Sequence, residues 1–252
     1  MLKFIGTGSA FNTEFGTTSA YIKNEDILLL IDCGETTFAR IMELKLLEDV
    51  KKAYIMITHM HSDHIAGLAA LIEYLNIYKQ VTPNIILTTE DSCEKQEADI
   101  RQFLSLQGIS EDDFDFTYSD MLDGILPNLK AVSLKEVKHS NKLTSYAVEM
   151  GFDDKNIYFT GDNNDKSYLR SIKKKLKKND LLYTDCTTLE YKGRVHISLN
   201  ELNEIFDEKD RNQIYVMHFD SYETVSLAKK AGYMVATREE SLEEILKSIV
   251  NR

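Results

Sequence analysis

The stretch ITHMHSDHIAGL, Ile57 to Leu68, places three of the chain's six histidines and an aspartate within six residues. It overlaps AYIMIT (Ala53 to Thr58), an apolar run that predicts a buried strand, and continues into IAGLAALIEYLNIYK, which reads as a helix. His59, His61, Asp63 and His64 therefore stand at the carboxyl end of a strand, on a strand–loop–helix junction. A lone buried histidine is ordinarily a satisfied core residue. Four such side chains in six residues would each need a buried partner of its own. Metal coordination meets that need. His59 and His61, two apart, can point at one ion; Asp63 and His64, at the start of the helix, can turn toward a second. Imidazole and carboxylate donors suit zinc, with manganese or iron as alternatives.

Composition bounds the rest. A length of 252 residues allows one or two domains, and 43% hydrophobic residues suffice for a sizeable core. No apolar stretch approaches the ~20 residues of a membrane span. The start, MLKFIGTGSAF, lacks the basic region and long apolar run of a secretory signal. Cys33, Cys93 and Cys186 are odd in number and widely spaced, which predicts reduced thiols and a cytoplasmic location. The net charge of -11 opposes a large nucleic-acid footprint but not a small phosphorylated ligand held by metals.

Strands are expected at LKFIG, TSAYIKN, ILLLID, NIILTT, LKAVSLKEV, SYAVEM, NIYFTGD, DLLYTD and QIYVMH, with a hairpin turn at Asn24-Glu25-Asp26. Helices are expected over Glu90 to Leu106, Ser167 to Lys178, Ser198 to Phe206 and in the C-terminal EESLEEILKSIV. Strands early, then strands alternating with helices, predict an α/β chain with sheets covered by helices.

In its motifs the chain resembles the metallo-β-lactamase fold superfamily. EVKHSN supplies His139, YFTGDNN supplies Asp162 and YVMHFD supplies His218, each after an apolar run; LLIDCGE carries an early Asp-x-Gly at Asp32 and Gly34. The resemblance spans Gly6 to His218 and implies one domain over residues 1–252, a four-layer αββα sandwich. It implies that His59, His61 and His139 bind one divalent ion, that Asp63, His64 and His218 bind another, and that Asp162 bridges both. Asp32 would orient a ligand imidazole. The pair of ions would share an attacking hydroxide and neutralise the charge that builds on the electrophile.

The sixth histidine, His196 in GRVHISLNEL, points to a branch. The tRNase Z branch carries an extra histidine in this interval, ahead of a Ser/Thr and a helix, and a His-Glu-Ala-Thr motif shortly before it. TDCT (Thr184 to Thr187) resembles a degenerate form of that motif, with Asp185 at the glutamate position. The resemblance implies phosphodiester chemistry with His196, Asp185 and Asp63 as the catalytic set, the carboxylate–histidine pair protonating a leaving alkoxide or stabilising phosphate charge. Two departures set the chain apart from tRNase Z. Only SNKLTSYAVEMGFDDKNIYFTG separates His139 from Asp162, which leaves no room for a tRNA-gripping arm, and HFDSYE lacks the basic residue usual after the last metal histidine. In length and motif layout the chain is similar to the arm-less anti-Pycsar phosphodiesterases, which hydrolyse cyclic mononucleotides. The expected partners are thus a small cyclic nucleotide and a second copy of the chain in a homodimer, with neither large RNA nor membrane. A tRNase Z-type endonuclease, a thioester or lactam hydrolase, and a binding module without activity are the competing readings.

Three further features have two readings each. The lysines at Lys173, Lys174, Lys175, Lys177 and Lys178 form either a phosphate grip or, as favoured here, a solvated helix face with Ile172 and Leu176 turned inward. The acidic segment 90–120 is a lid, a dimer contact or plain surface. Phe11, Phe15 and Tyr222 flank the motifs as base-stacking candidates, although rim or core packing is the commoner fate of such rings.

Overall fold

A computed structural model describes residues 1–241 and 244. Its strands form two six-stranded sheets. The first contains β1 (Lys3–Gly6), β2 (Ser19–Asn24), β3 (Ile27–Ile31), β4 (Lys52–Met56), β5 (Asn84–Leu87) and β6 (Asp115–Tyr118), in that spatial order. β1 to β3 run antiparallel, and the pairs from β3 to β6 are parallel. The second contains β7 (Leu129–Val137), β8 (Ser145–Phe152), β9 (Asn156–Phe159), β10 (Leu181–Asp185), β11 (Ile214–Met217) and β12 (Met234–Val235). It repeats the scheme, antiparallel through β9 and parallel beyond. The helices are α1 (Thr37–Glu43), α2 (Ser62–Ile65), α3 (Leu68–Tyr74), α4 (Glu94–Leu106), α5 (Lys166–Lys175), α6 (Leu199–Ile205) and α7 (Tyr222–Lys230).

The two-residue period of a strand builds four layers from these elements. In β3, Leu28 and Leu30 face outward to Ile41 of α1, Leu71 of α3 and Ile100 of α4, while Leu29 and Ile31 face inward. In β9 and β10, Tyr158 and Leu182 face outward to α5 and α6, while Phe159 and Tyr183 face inward. The inward sets of both sheets form one buried cluster, so the sheets pack face to face with helices outside, the αββα sandwich of the metallo-β-lactamase fold. No described helix is long and apolar enough to cross a membrane.

Local differences from the sequence reading have physical causes. The helix read from Ile65 onward starts at Ser62, which places Asp63 and His64 inside it. It breaks at Ala66–Gly67, and its last turn (Leu75–Lys79) widens to π geometry before Gln80 at φ 54°. The helix expected from Glu90 starts at Glu94, and that expected to Lys178 ends at Lys175. Within the acidic segment, α4 buries Ile100 and Leu104 against the first sheet, and Asp115–Tyr118 pairs with β5 as an unexpected edge strand. The short α1, α7 and β12 carry too little periodicity to announce themselves. The basic run is a solvated face: Ile172 is buried, Leu176 packs beside it, and Lys173 and Lys175 pair with Asp207 and Glu149 at 3.0 and 2.9 Å. The C-terminal EESLEEILKSIV falls largely outside the described residues.

The parallel strands all point their carboxyl ends the same way, and ligand sites of α/β sheets form there. One glycine allows the loops to meet. The turn after β3 is stitched to the histidine loop by Cys33 N–H donating to the His64 carbonyl (2.7 Å) and Gly67 N–H donating to the Cys33 carbonyl (2.8 Å). A Cβ on Gly34 would lie 2.0 Å from the carbonyl oxygen of Asp63, a backbone atom that cannot step aside. Gly34→Ala is expected to cost about 3 kcal/mol or more of stability by overpacking. Gly193→Ala, at φ 81° with open space around it, is expected to cost only ~1–2 kcal/mol. Urea unfolding of the two variants beside the native chain measures the contrast.

Candidate metal centre

The seven side chains singled out from the sequence converge at the strand ends. They form two groups that share Asp162: His59, His61, His139 and Asp162, and Asp63, His64, Asp162 and His218. Within each group the potential ligand atoms lie within 4.8 Å of one another. In the first, His59 Nε2 and His139 Nε2 stand 2.8 and 3.2 Å from His61 Nδ1, and Asp162 Oδ2 lies 3.8 and 3.7 Å from the same two Nε2 atoms. In the second, His64 Nε2 and His218 Nε2 each lie 3.3 Å from Asp63 Oδ2 and 3.3 Å from Asp162 Oδ1. Asp162 thus offers one oxygen to each group.

Hydrogen bonds behind the site fix which imidazole nitrogens face it. Asp32, fully buried, accepts from Thr58 N–H at 2.7 Å, Thr58 Oγ1 at 2.8 Å and His64 Nδ1 at 2.7 Å. Having given its hydrogen to Asp32, Thr58 Oγ1 can only accept from His59 Nδ1, 3.1 Å away. His139 Nδ1 donates to the carbonyl of Val195 at 3.0 Å. His59, His64 and His139 therefore each turn Nε2 inward. One carboxylate, Asp32, sets the tautomers of a histidine in both groups.

The residues fit a pair of cations. His64 Nε2 is buried without a partner at hydrogen-bond geometry. Burial opposes a charge on the ring, yet Asp162 and Asp32 hold the His64 imidazole well above its ordinary value, a positive charge that a divalent cation at the same place would replace by releasing the proton. The inward lone pairs of His59 and His139 crowd toward a third nitrogen and a carboxylate oxygen, a cluster that a cation relieves. Burial pushes His59 and His61 down from the ordinary imidazole value, and His139 to about 4, so these side chains are neutral as ligands must be. Burial pushes Asp63 and Asp162 the other way, but His218 and His64 more than reverse it, and both carboxyls are ionised.

Backbone strain accompanies this convergence. Asp32, Gly161 and His218 follow β3, β9 and β11 and have φ of 64°, 58° and 58°. Three strand ends turn through the left-handed region just where they deliver a site residue, a concentration expected of a functional site.

His196 and Asp185 meet beside this centre. His196 Nδ1 donates to Asp185 Oδ2 at 3.0 Å, and Asn163 N–H donates to the same oxygen at 3.0 Å. Burial works against the charge of His196, but Asp185 and Asp162 raise its pKa to about 9. Cations on Asp162 would pull that value down again. The loop that carries His196 is held by Arg194, which donates to the His196 carbonyl at 2.8 Å and pairs with Glu201 at 2.8 Å. Glu201 in turn forms a capping box with Ser198 at the start of α6.

A cleft of about 660 Å³ opens over the centre, with His61, Asp63, His139, Asp162, His196 and His218 in its floor and walls. Of the three aromatic candidates only Phe11 lines it. Phe15 and Tyr222 pack edge-to-face at 4.6 Å, and the Tyr222 hydroxyl donates to Glu14 at 2.9 Å. The sequence reading missed Glu35, Leu189, Tyr191 and Asp220, which also line the cleft. Glu35 and Asp220 directly follow the quoted Asp-Cys-Gly and His-Phe motifs, a proximity that would have found them; nothing local marks Leu189 or Tyr191. The thiols of Cys33 and Cys186 are buried, and burial pushes both pKa values up, so neither is a nucleophile.

Fold and centre together define a metal-dependent hydrolase of the metallo-β-lactamase fold. Within that class the chain belongs to the anti-Pycsar Apyc1 family, whose family model, described as "Anti-Pycsar protein Apyc1", matches residues 1–241. It is 27% identical to the anti-Pycsar protein Apyc1 of Bacillus phage 010DV004 over 92% of this chain and 93% of that one. Ribonuclease Z of Pyrococcus abyssi is 44% identical over 92 residues, which cover 36% of this chain and 30% of the relative. Among solved structures, the metallo-β-lactamase-fold protein YhfI from Bacillus subtilis superposes with a TM-score of 0.70 at 17% identity, over 95% of both chains.

Asp32→Asn tests the tautomer argument. The amide cannot accept all three hydrogen bonds, so the variant is expected to bind divalent metal ~10–100-fold more weakly. Competition titration with a metal indicator reads the change.

Proposed function

We propose that the protein is a dinuclear-metal phosphodiesterase that opens 3′,5′-cyclic mononucleotides and so counteracts cyclic-nucleotide antiviral signalling. The observation that carries the reading is the His196–Asp185 pair standing beside two candidate ligand groups that share Asp162, with His196, Asp162 and members of both groups lining one cleft. His59, His61 and His139 would hold one divalent cation, Asp63, His64 and His218 the other, and Asp162 both. Zinc suits the mixed nitrogen and oxygen donors best, with manganese or iron next. When bound, such a pair supplies an activated water at neutral pH and neutralises charge on a phosphodiester. His196 supplies the other half of the chemistry. Its Nδ1 is committed to Asp185, so its Nε2 is the nitrogen left for substrate. There it can protonate the departing ribose oxygen or hydrogen-bond the phosphate.

Substrate size follows from what surrounds the cleft. Residues 140–161 are taken up by a short turn, β8 and β9, with no projecting arm. Among the described residues no lysine or arginine lines the cleft, and two of the lysines in the basic run already have acidic partners. A net charge of -11 opposes the counterion release that drives RNA binding. The match over most of the chain to relatives named anti-Pycsar supports the same reading. A tRNase Z-type endonuclease is the second reading, favoured by the local 44% identity to a ribonuclease Z.

His196→Ala is expected to retain bound metal by elemental analysis and to lose ~10²–10⁴-fold in turnover, as removal of a general acid does. A nitrophenyl ester, with a leaving group that needs no proton, should suffer less; equal losses would assign His196 to the phosphate instead. The two readings separate in parallel time courses with 3′,5′-cyclic nucleotides and a precursor tRNA bearing a 3′ trailer. Ring opening of the cyclic nucleotides with little or no trailer removal is expected. Efficient, site-specific trailer removal with inert cyclic nucleotides would establish the endonuclease.

A further inference from the structure

The cleft has a polar floor and apolar lips, and the lips are built with care. Phe11 is 97% exposed, the extreme case among the described large apolar residues, yet the loop that carries it is fastened. Ser9 N–H and Asn12 Nδ2 both donate to the carbonyl of Phe219, at 3.1 and 3.0 Å, and Asn12 N–H donates to the Ser9 carbonyl at 3.0 Å. Gly8 N–H donates to the Gly16 carbonyl at 2.7 Å, and Phe219 N–H to the Thr7 carbonyl at 2.9 Å, so the loop is anchored to the residue next to His218. A phenyl ring on a tethered loop at the mouth of a cleft stands where ligand pockets carry their apolar and aromatic lining.

Leu189 and Tyr191 line the same cleft from the segment between β10 and α6, and Tyr191 is 47% exposed. That segment is also tethered: Leu189 N–H donates to Thr187 Oγ1 at 3.0 Å, and Arg194 N–H to the Tyr191 carbonyl at 3.3 Å. It leads directly into His196. Both aromatic lips are therefore tied to loops that carry residues of the floor. Each is a flat ring with little rotamer freedom to lose on binding, which suits it to hold a flat partner at a fixed distance from the reacting phosphate.

We propose that Phe11 and Tyr191 are the base-binding residues of this site, stacking on the nucleobase of a nucleotide whose phosphodiester lies at the metal centre. The proposal rests on the phosphodiesterase reading above and adds to it the residues that distinguish a nucleotide from a bare cyclic phosphodiester. Stacking is indifferent to the hydrogen-bonding edge of the base, so the site accepts purines and pyrimidines alike.

The test compares 3′,5′-cyclic adenosine monophosphate with 1-deoxyribose 3′,5′-cyclic phosphate, which keeps the reacting ring and lacks the base, for the native protein and for Phe11→Ala/Tyr191→Ala. Both side chains are substantially exposed, so the variant should fold. Loss of base–aromatic stacking is expected to raise KM for the nucleotide by ~10-fold or more, with kcat little changed. The ratio of kcat/KM between nucleotide and base-free substrate falls by the same factor. Binding follows suit: adenosine 5′-monophosphate loses ~10-fold in affinity by calorimetry, ribose 5-phosphate does not. An unchanged ratio in an active protein overturns the base-stacking role alone. A native protein inert toward the cyclic nucleotide overturns the phosphodiesterase reading and the base-stacking role with it.

Discussion

The carboxylate of Asp32 is the constraint on which the centre depends. It is fully buried and ionisable, and its position is tolerable only because three donors converge on it: Thr58 N–H, Thr58 Oγ1 and His64 Nδ1. Through His64 it fixes one ligand group, and through Thr58 and His59 it fixes the other. Breaking this node leaves two imidazoles free to present either nitrogen, whereas cations in both groups would need both presented correctly at once. The left-handed backbone at Asp32 and the absent side chain at Gly34 are the local conditions that let the turn after β3 reach this position.

Asp162 joins the halves of the molecule. Candidate ligands from loops of the first sheet (His59, His61, Asp63, His64) face those from loops of the second (His139, Asp162, His218), and the two oxygens of Asp162 face the two groups. The face-to-face packing of the inner cluster sets the separation of those loops, so the geometry of the site is inherited from the apolar core. Sheet packing supplies the distance, strand-end turns the direction and rear hydrogen bonds the tautomers.

Much of this was legible in the sequence because the chemistry is dense. Type and spacing mark His59, His61, Asp63 and His64, which lie within one turn and its flanks, whereas His139, Asp162 and His218, each after an apolar run, were singled out through the resemblance to the superfamily's motif order. The Asp185–His196 pair came likewise from the resemblance to the tRNase Z branch, and the structure brings the two within 3.0 Å of each other. Strand alternation in ILLLID or NIYF told inside from outside only once the second sheet was in place: a run apolar on both faces carries no signal of which face meets which layer. β6 escaped because DFTY, with one polar residue in two, is an edge strand defined by its neighbour and not by its composition. Leu189 and Tyr191 escaped for a related reason. Their role depends on being left uncovered beside a cleft, and exposure of an apolar side chain is a property of the folded surface.

Two cations that share one carboxylate where the sheets meet would be visible as metal positions. Anomalous diffraction from crystals of the metal-loaded protein, collected on either side of the absorption edge of the bound metal, locates them. Two peaks are expected, one among His59, His61 and His139, the other among Asp63, His64 and His218, with Asp162 between them. A single peak, or a pair that leaves Asp162 uncoordinated in a protein that turns over substrate, would contradict the account.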